Sequence, residues 1–367
     1  MKPRLADKLT ALRADLDCGH FILADAKDAD MAWGAASAGP KENLPFPSPR
    51  RGGLGRGEGP GNESATSPFL PQSSYRSVTD YRDQIREVVR QGAVDILLAS
   101  ASTLSVLAHA ERLFDSTDVT PAVRANDTTD IWLPRGGRYR DEPSRPFSTC
   151  FLEEAQFGST IPARLVDSQP VVNLGLYSVT FNNRLDADHA TLTAFRAFRA
   201  EAERCAFRYF LEIFAPNVPG AVADDEVAAF VNDSICRMLA GVPVSQRPEF
   251  LKMPYFGPAA LEELVSYDPS MIVGVLGGGS GTTYDAFKLL AEAKKHGARA
   301  ALFGRKIKDA EHPLTMIALL RRVADGDATP EEAVRAYHGE LQKLRLTPHR
   351  ALAEDSQLTA GELSYLK

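Results

Sequence analysis

The chain has 367 residues, 44% hydrophobic and 25% charged, which indicates a folded globular protein and excludes a fibrous or wholly disordered one. Its 42 basic and 48 acidic residues give a net charge of −6, which argues against a nucleic-acid partner bound by phosphate neutralisation. It shows neither an apolar run long enough to span a membrane nor the apolar stretch of a secretory signal. We therefore expect a cytoplasmic protein that acts on a small molecule, without membrane or nucleic-acid partners.

Short β-like runs alternate with longer helical patterns along the chain. The predicted strands cover residues 20–26, 94–100, 121–125, 174–181, 208–214, 250–253, 271–276 and 298–303. The helical patterns between and after them cover residues 79–91, 103–114, 186–206, 224–239, 258–266, 283–296 and 313–323, most of them opened by Asp, Thr or Pro. Eight strands alternating with helices predict an α/β protein whose parallel sheet closes into one (β/α)₈ TIM barrel.

Three stretches depart from this alternation. Residues 41–75 include 17 residues with four prolines and six glycines, so we expect a flexible insertion that interrupts a barrel of residues 1–345. Residues 126–170 are rich in Asp, Arg, Pro and Gly and are interpreted as a long loop in place of the third helix. A last helix is predicted over residues 331–341, and residues 346–367 are expected to form a C-terminal extension.

A glycine-rich turn follows the seventh predicted strand and leads into a helix that begins near Thr283. Glycines let the backbone approach a ligand closely, and a helix N-terminus offers N–H groups to an anion. The eighth strand ends beside this turn with a glycine and two cations. A glycine turn with solvated cations is the alternative interpretation. The predicted phosphate-binding residues are Gly277, Gly278, Gly279, Ser280, Gly304, Arg305 and Lys306.

The sixth predicted strand carries a lysine, Lys252, between Leu251 and Met253. Alternation along a strand points Lys252 away from both neighbours, towards either the barrel mouth or the helix layer. A lysine in a poorly solvated site can attack a carbonyl and form an iminium, which withdraws electrons from a neighbouring carbon–carbon bond. The alternative is a strand-end lysine whose ammonium group reaches water.

Polar residues on other strands are candidates for proton transfer and substrate contacts. Asp25 ends the first strand, where three carboxylates and a lysine fall within six residues, and we expect it to face the barrel mouth. Glu212 lies in an apolar strand and is either an acid/base or a structural, hydrogen-bonded glutamate. Arg124 and Asn182 are candidate substrate contacts. The seven histidines lack metal-ligand spacing, so neither a metal nor a cofactor is expected.

The run 273–307 resembles the seventh and eighth strand region of archaeal-type class I fructose-bisphosphate aldolases, relatives of deoxyribose-phosphate aldolase. In this chain the run reads VGVLGGGSGTTYDAFKLLAEAKKHGARAALFGRKI. A Gly-Gly turn and a Gly-Arg dipeptide bind the substrate phosphate in that family. The resemblance therefore implies that Gly277, Gly278, Gly304 and Arg305 do so here.

The sixth strand carries a second part of the resemblance. Leu251-Lys252-Met253-Pro254-Tyr255 is similar to the family's Val-Lys followed shortly by Tyr, which implies that Lys252 forms the Schiff base. The family's first strand ends in Asp-His-Gly, of which this chain keeps only Asp25. Its fructose-bisphosphate members place a Tyr at the end of the fifth strand, where this chain has Glu212 and no Tyr.

The sequence thus predicts an aldehyde-lyase that forms or cleaves a carbon–carbon bond of a phosphorylated sugar-type carbonyl compound through a Schiff base on Lys252. Glu212 or Asp25 would move protons. Two alternatives stay open: a non-catalytic barrel that binds phosphorylated metabolites, and a barrel isomerase or decarboxylase that uses Asp25 and Lys27. The oligomeric state, a homo-oligomer included, is open as well.

Overall fold

The computed structural model describes residues 1–39, 75–159, 169–278, 281–361 and 363. Eight parallel strands pair in chain order and close into a barrel, as predicted. Each strand begins and ends within two residues of its predicted limits. The strands are β1 (Ile22–Lys27), β2 (Ile96–Ala99), β3 (Thr120–Arg124), β4 (Leu174–Thr180), β5 (Arg208–Phe214), β6 (Leu251–Met253), β7 (Val273–Leu276) and β8 (Ala300–Phe303).

Helices cover the outside of the barrel, and each predicted helical pattern corresponds to one of them. The helix predicted over residues 103–114 ends earlier than predicted. Its α-helical part continues as a π-helix, which ends at Ala110. Among the described residues, the α-helices between β1 and β6 are Asp30–Trp33, Val78–Gln91, Ala101–Leu104, Leu152–Phe157, Leu185–Arg204 and Val227–Ala240. Those after β6 are Pro258–Tyr267, Thr283–Lys295, Arg305–Lys308, Pro313–Asp325, Pro330–Lys343 and Leu352–Asp355.

The predicted insertion 41–75 and the predicted loop 126–170 follow the C-terminal ends of the first and third strands. In the predicted loop 126–170, Asp127–Thr128 pairs antiparallel with Pro146–Phe147, and residues 160–168 lie outside the described residues. Residues 41–74 of the predicted insertion 41–75 also lie outside them, as does residue 40. Arg76 N–H donates to the Gly39 carbonyl at 3.0 Å, so the residues that flank residues 40–74 lie next to each other.

An N-terminal helix, Pro3–Ala14, was not predicted. Leu5, Leu9 and Leu12 are fully buried and belong to the apolar cluster that fills the barrel. Lys8 Nζ donates to the Phe21 carbonyl, just before β1, so the helix covers the N-terminal end of the barrel. The spacing of the leucines and the proline in the first turn are the sequence signals for this helix.

The apolar core has two layers because side chains alternate across each strand. One layer lies between the strands and the helices. The other fills the barrel, and each of its strand residues has an even number: Ile22, Ala24, Ile96, Leu98, Ala122, Leu174, Leu176, Phe210, Ala300 and Leu302. Continuing this alternation towards the C-terminal end of the strands places residues 124, 178, 212 and 252 on the inner face.

The predicted C-terminal extension packs onto the barrel. Leu363 is fully buried in the outer apolar layer, and Gln357 accepts a hydrogen bond from Thr282 at the start of the helix Thr283–Lys295. In the described part of the chain, no helix combines the length and the apolar character needed to cross a membrane.

Candidate active site

Lys252 and Glu212 form an ion pair inside the barrel. Lys252 shares the inner face of its strand with Phe250, while Leu251 and Met253 pack in the outer layer. Lys252 and Glu212 are register partners on β6 and β5. The distance from Lys252 Nζ to Glu212 Oε1 is 2.5 Å, and the two side chains are 8% and 2% exposed. The structure therefore brings together two residues that the sequence singled out independently.

Ser178 and Arg124 hold the second oxygen of Glu212. Ser178, the register partner of Glu212 on β4, donates its hydroxyl to Oε2 at 2.7 Å. Arg124 Nη1 lies 3.9 Å from the same oxygen, and Arg124 Nη2 donates to Ser178 Oγ at 3.2 Å. These contacts fix the carboxylate with Oε1 towards Lys252.

Arg124 is itself surrounded by carboxylates. Its Nη1 donates to Asp28 Oδ2 at 2.7 Å, and its Nε lies 3.9 Å from Asp127 Oδ1. Burial raises the pKa of Asp127 to about 6, against the opposing effect of Arg124. Arg124, Glu212 and Lys252 thus belong to one network of buried charges in which each cation faces at least one carboxylate.

A cavity of about 260 Å³ opens at the C-terminal ends of β2 and β3, next to this network. Arg124 and Asn126 line it. The side-chain Oδ1 of Asn126 accepts from the Ser178 backbone N–H at 2.7 Å, and its Nδ2 donates to the Ser178 carbonyl at 2.9 Å. The remaining wall includes Met31, Ser100, Ser102 and Thr149. The cavity therefore reaches the charged network through Arg124.

Asp25 does not join this network, and the expectation that it faces the barrel mouth is not met. Its neighbours Ala24 and Ala26 belong to the inner cluster, while Leu23 packs in the outer layer. Asp25 therefore points towards the helices, where it pairs with the fully buried Lys27 at 3.2 Å. Burial raises the pKa of Asp25, and Lys27 opposes this effect.

The glycine turn after β7 is described as far as Gly278, and Gly279 and Ser280 lie outside the described residues. The N–H of Gly277 already donates to the Leu302 carbonyl at 2.7 Å, and a Cβ at this position would clash with the Phe303 ring. Gly278 has φ +70°, a conformation that favours glycine. Packing thus explains the first glycine, while backbone conformation explains the second.

The N-terminus of the helix Thr283–Lys295 is occupied by the protein itself. Asp285 caps it in a capping box with Thr282, and Thr283 N–H donates to Asp355 Oδ1 at 2.7 Å. The expectation that this helix offers unpaired N–H groups to an anion is therefore not met at these positions. Asp355, from the C-terminal extension, supplies the negative charge that a helix N-terminus attracts.

Two cations follow β8 beside the glycine turn. Lys306 Nζ donates to the Gly281 carbonyl at 2.5 Å, and burial lowers the pKa of Lys306 to about 8. Arg305 is exposed, and Gly304 is the residue before the helix Arg305–Lys308. Two cations thus follow β8 beside the described part of the glycine turn, while the start of the helix Thr283–Lys295 is capped by the protein itself.

Asn182 follows β4 and has a structural environment. It is fully buried, its side-chain Nδ2 donates to Asn217 Oδ1 at 2.7 Å, and its side-chain Oδ1 accepts from the backbone N–H groups of Asn217 and Val218. These bonds join the loops after β4 and β5. Nothing in this arrangement directs Asn182 towards Lys252.

Ser178 was missed in the sequence. A serine in an apolar strand gives no local sign of a functional role. Only its position on the inner face of the barrel, which it shares with Glu212, associates the two residues. Among the described residues, no three His, Cys, Asp or Glu side chains are arranged to hold a metal ion.

No protein-family model matches the chain, and no curated protein matches its sequence. The structure is similar to that of an archaeal fructose 1,6-bisphosphate aldolase, with a TM-score of 0.54 and 12% identity, covering 87% of this chain and 99% of that one. It is also similar to a protein from Corynebacterium glutamicum, with a TM-score of 0.53 and 17% identity, covering 89% and 99% of the two chains. The resemblance to the archaeal class I aldolases is thus confirmed at the level of the fold.

Proposed function

We propose that the protein is a lyase of the class I aldolase type, which forms or cleaves a carbon–carbon bond of a phosphorylated sugar-type substrate through a Schiff base on Lys252. The observation that carries this proposal is the buried Lys252–Glu212 pair, 2.5 Å apart on the inner face of the barrel. It lies towards the C-terminal ends of the strands, where barrel enzymes have their active sites. The likeness in fold to an archaeal aldolase supports the same reaction class.

Schiff-base formation begins with a proton transfer. Lys252 must be neutral to act as a nucleophile, and Glu212 Oε1 is the adjacent acceptor for its proton. The amine then forms a C–N bond with the substrate carbonyl carbon, and the C=O electron pair moves to oxygen. Glu212 returns its proton to that oxygen, and then carries a second proton from the newly bonded nitrogen to the same oxygen, which leaves as water when the iminium forms.

Cleavage uses the same two residues in the next step. The bond between the α and β carbons breaks, and its electron pair moves into the iminium to give an enamine. The β-hydroxyl proton passes to the Glu212 carboxylate while the β carbon becomes an aldehyde. Protonation of the enamine carbon and hydrolysis of the iminium by water release the ketone and restore Lys252. Synthesis is the reverse sequence.

The proposal assigns the substrate phosphate to the β7–β8 side of the barrel mouth. Arg305 is exposed there, Lys306 lies against Gly281, and Gly278 and Gly304 form the adjoining backbone. Two cations beside a glycine turn suit a phosphate group. Gly277 contributes packing, since its N–H is already bonded.

The isomerase or decarboxylase alternative depended on Asp25 and Lys27. These residues pair with each other on the helix-facing side of β1, whereas Ala24 and Ala26 face the barrel interior. A substrate at the barrel mouth near Lys252 would not meet Asp25. We therefore do not propose this reaction.

Cleavage assays separate the lyase from a non-catalytic phosphometabolite-binding barrel. Purified protein is incubated with a panel of ketose 1-phosphates and 1,6-bisphosphates, and dihydroxyacetone phosphate release is measured. Lys252→Arg should abolish release because a guanidinium keeps the charge but does not form an iminium. Lys343→Arg, at an exposed lysine, is the matched control and should keep full activity. Phosphate-ester binding without release by the wild type would favour the binding barrel.

A further inference from the structure

The cavity at the ends of β2 and β3 lies across the barrel from the glycine turn. In the closed strand order, β3 is four strands from β7 in both directions. A substrate that spans the mouth would thus have one end near Gly278 and Arg305 and the other near Arg124 and Asn126. The two ends meet different electrostatic surroundings.

At the cavity end, the described network of Arg124 and Lys252 has no surplus positive charge. Arg124 faces Asp28 at 2.7 Å and both Glu212 and Asp127 at 3.9 Å, while Lys252 is paired with Glu212. Two cations therefore meet three carboxylates in this network. A phosphate dianion entering the cavity would lose its hydration and gain no unshared cation from this network.

The cavity wall provides neutral contacts instead. Ser102 and Thr149 line it with hydroxyl groups, and Met31, Ala101 and Ala125 line it with apolar groups. Its volume of about 260 Å³ is below the usual range for drug-sized ligands and suits a fragment of a few carbons. Hydroxyls and a short carbon chain are complementary to such a wall.

We propose that this cavity binds an uncharged, hydroxyl-bearing end of the substrate, so that the aldehyde partner in the carbon–carbon reaction carries no phosphate. This inference rests on the proposed function for its reaction. The phosphate of the ketone partner stays on the β7–β8 side. The preferred products of synthesis are then ketose monophosphates.

The condensation assay uses dihydroxyacetone phosphate with either glyceraldehyde or glyceraldehyde 3-phosphate. The wild type should have a kcat/KM for glyceraldehyde at least tenfold above that for the phosphorylated aldehyde. Asp28→Asn removes a negative charge beside Arg124 and should narrow this ratio several-fold. Asp7→Asn, on the exposed face of the N-terminal helix at the other end of the barrel, should leave it unchanged. Equal or reversed preference in the wild type, or an unchanged ratio in Asp28→Asn, would overturn the inference.

A binding measurement keeps the inference testable if the enzyme shows no turnover. Saturation-transfer NMR should detect glycerol bound in the cavity and glycerol 3-phosphate bound on the β7–β8 side alone, where the proposed function places the phosphate. Thr149→Trp, which fills the cavity from an exposed loop, should abolish the glycerol signal, and Thr10→Trp should preserve it. Glycerol binding without a borohydride-trapped ketone adduct would overturn the proposed function alone. No glycerol contact, or a glycerol 3-phosphate signal that Thr149→Trp also abolishes, would overturn the cavity assignment.

Discussion

At the scale of single residues, the two oxygens of Glu212 have separate contacts. Oε1 lies against Lys252, and Oε2 accepts from Ser178 with Arg124 nearby. A buried carboxylate is costly unless it is paired and hydrogen-bonded, so these contacts stabilise Glu212 in the barrel and orient it beside the lysine. The same carboxylate can then take a proton from Lys252 and return it to the substrate.

Glu212→Gln should lower turnover about a hundredfold or more, since a positioned acid/base contributes about 10²- to 10⁴-fold. Glu249→Gln is the matched control. Glu249 pairs with Arg13 and Arg208 just before β6, at the opposite end of the barrel. The measurement is steady-state release of dihydroxyacetone phosphate by both variants. Equal activities would remove Glu212 from proton transfer.

Lys306 should make anion binding depend on pH. Its pKa is lowered by burial to about 8, so it loses its charge as the pH rises through that value. Sulfate keeps its charge over this range, and its affinity should fall about ten- to a hundredfold between pH 7 and pH 10. Calorimetric titration of the wild type and Lys306→Met measures this change. Lys306→Met should bind sulfate weakly and without this pH dependence. A sulfate affinity of the wild type that does not change with pH would exclude Lys306 from the site.

The same pKa has the opposite consequence for stability. The folded protein releases the Lys306 proton near pH 8, whereas the unfolded chain holds it until about 10.5. Since the unfolded state binds more protons in this interval, the contribution of Lys306 to the free energy of unfolding rises with pH between these values.

At the scale of elements, the C-terminal extension and the helix Thr283–Lys295 stabilise each other. Asp285 caps its own helix and also accepts from the N–H groups of Thr359 and Ala360 at 2.8 and 3.0 Å. The pKa of Asp285 is lowered, since the hydrogen bonds outweigh its burial. One side chain thus secures two segments that are distant in the chain.

Asp285→Ala should therefore lower the free energy of unfolding by more than the loss of an ordinary helix cap does. A lost cap costs about 1 kcal/mol, and the bonds to the extension add about 1–2 kcal/mol. Asp80→Ala removes the equivalent capping residue of the helix Val78–Gln91 and is the matched control. Urea denaturation measures both free energies of unfolding. A loss at Asp285 no larger than that at Asp80 would contradict the role of the extension.

Most elements could be predicted because their signals are local. β5 was predicted at its observed limits from an apolar run between turn residues. The occupied start of the helix Thr283–Lys295 could not be predicted, since its partner Asp355 lies 72 residues further along the chain. The N-terminal helix was missed although its three leucines show helical spacing.

At the scale of the whole molecule, the insertion is expected to be separable from the barrel. Gly39 and Arg76 are hydrogen-bonded to each other at 3.0 Å, so the barrel already brings these positions together. Replacing residues 40–74 with Gly-Ser should keep the melting temperature within a few degrees, because loop-closure cost changes by only about 0.6 kcal/mol per doubling of length. Scanning calorimetry measures this change. Insoluble expression of the shortened chain would contradict the expectation.

The candidate site was partly predictable for a reason that belongs to the barrel as a whole. Lys252 and Glu212 stood out as charges in apolar strands, but their pairing depends on the register of β5 and β6. Asp25 stood out equally, yet it lies at an odd-numbered position of β1 and points to the helices. The register of neighbouring strands decides which residues face the inside of a closed barrel, and the residues of a single strand do not reveal that register.

Borohydride trapping tests the central claim most directly. The protein is incubated with dihydroxyacetone phosphate, reduced with borohydride, digested and examined by mass spectrometry. We predict one reduced adduct on the peptide that contains Lys252 and none in Lys252→Arg. An adduct on another lysine, an adduct that persists in the variant, or the absence of any adduct in the wild type would contradict the account.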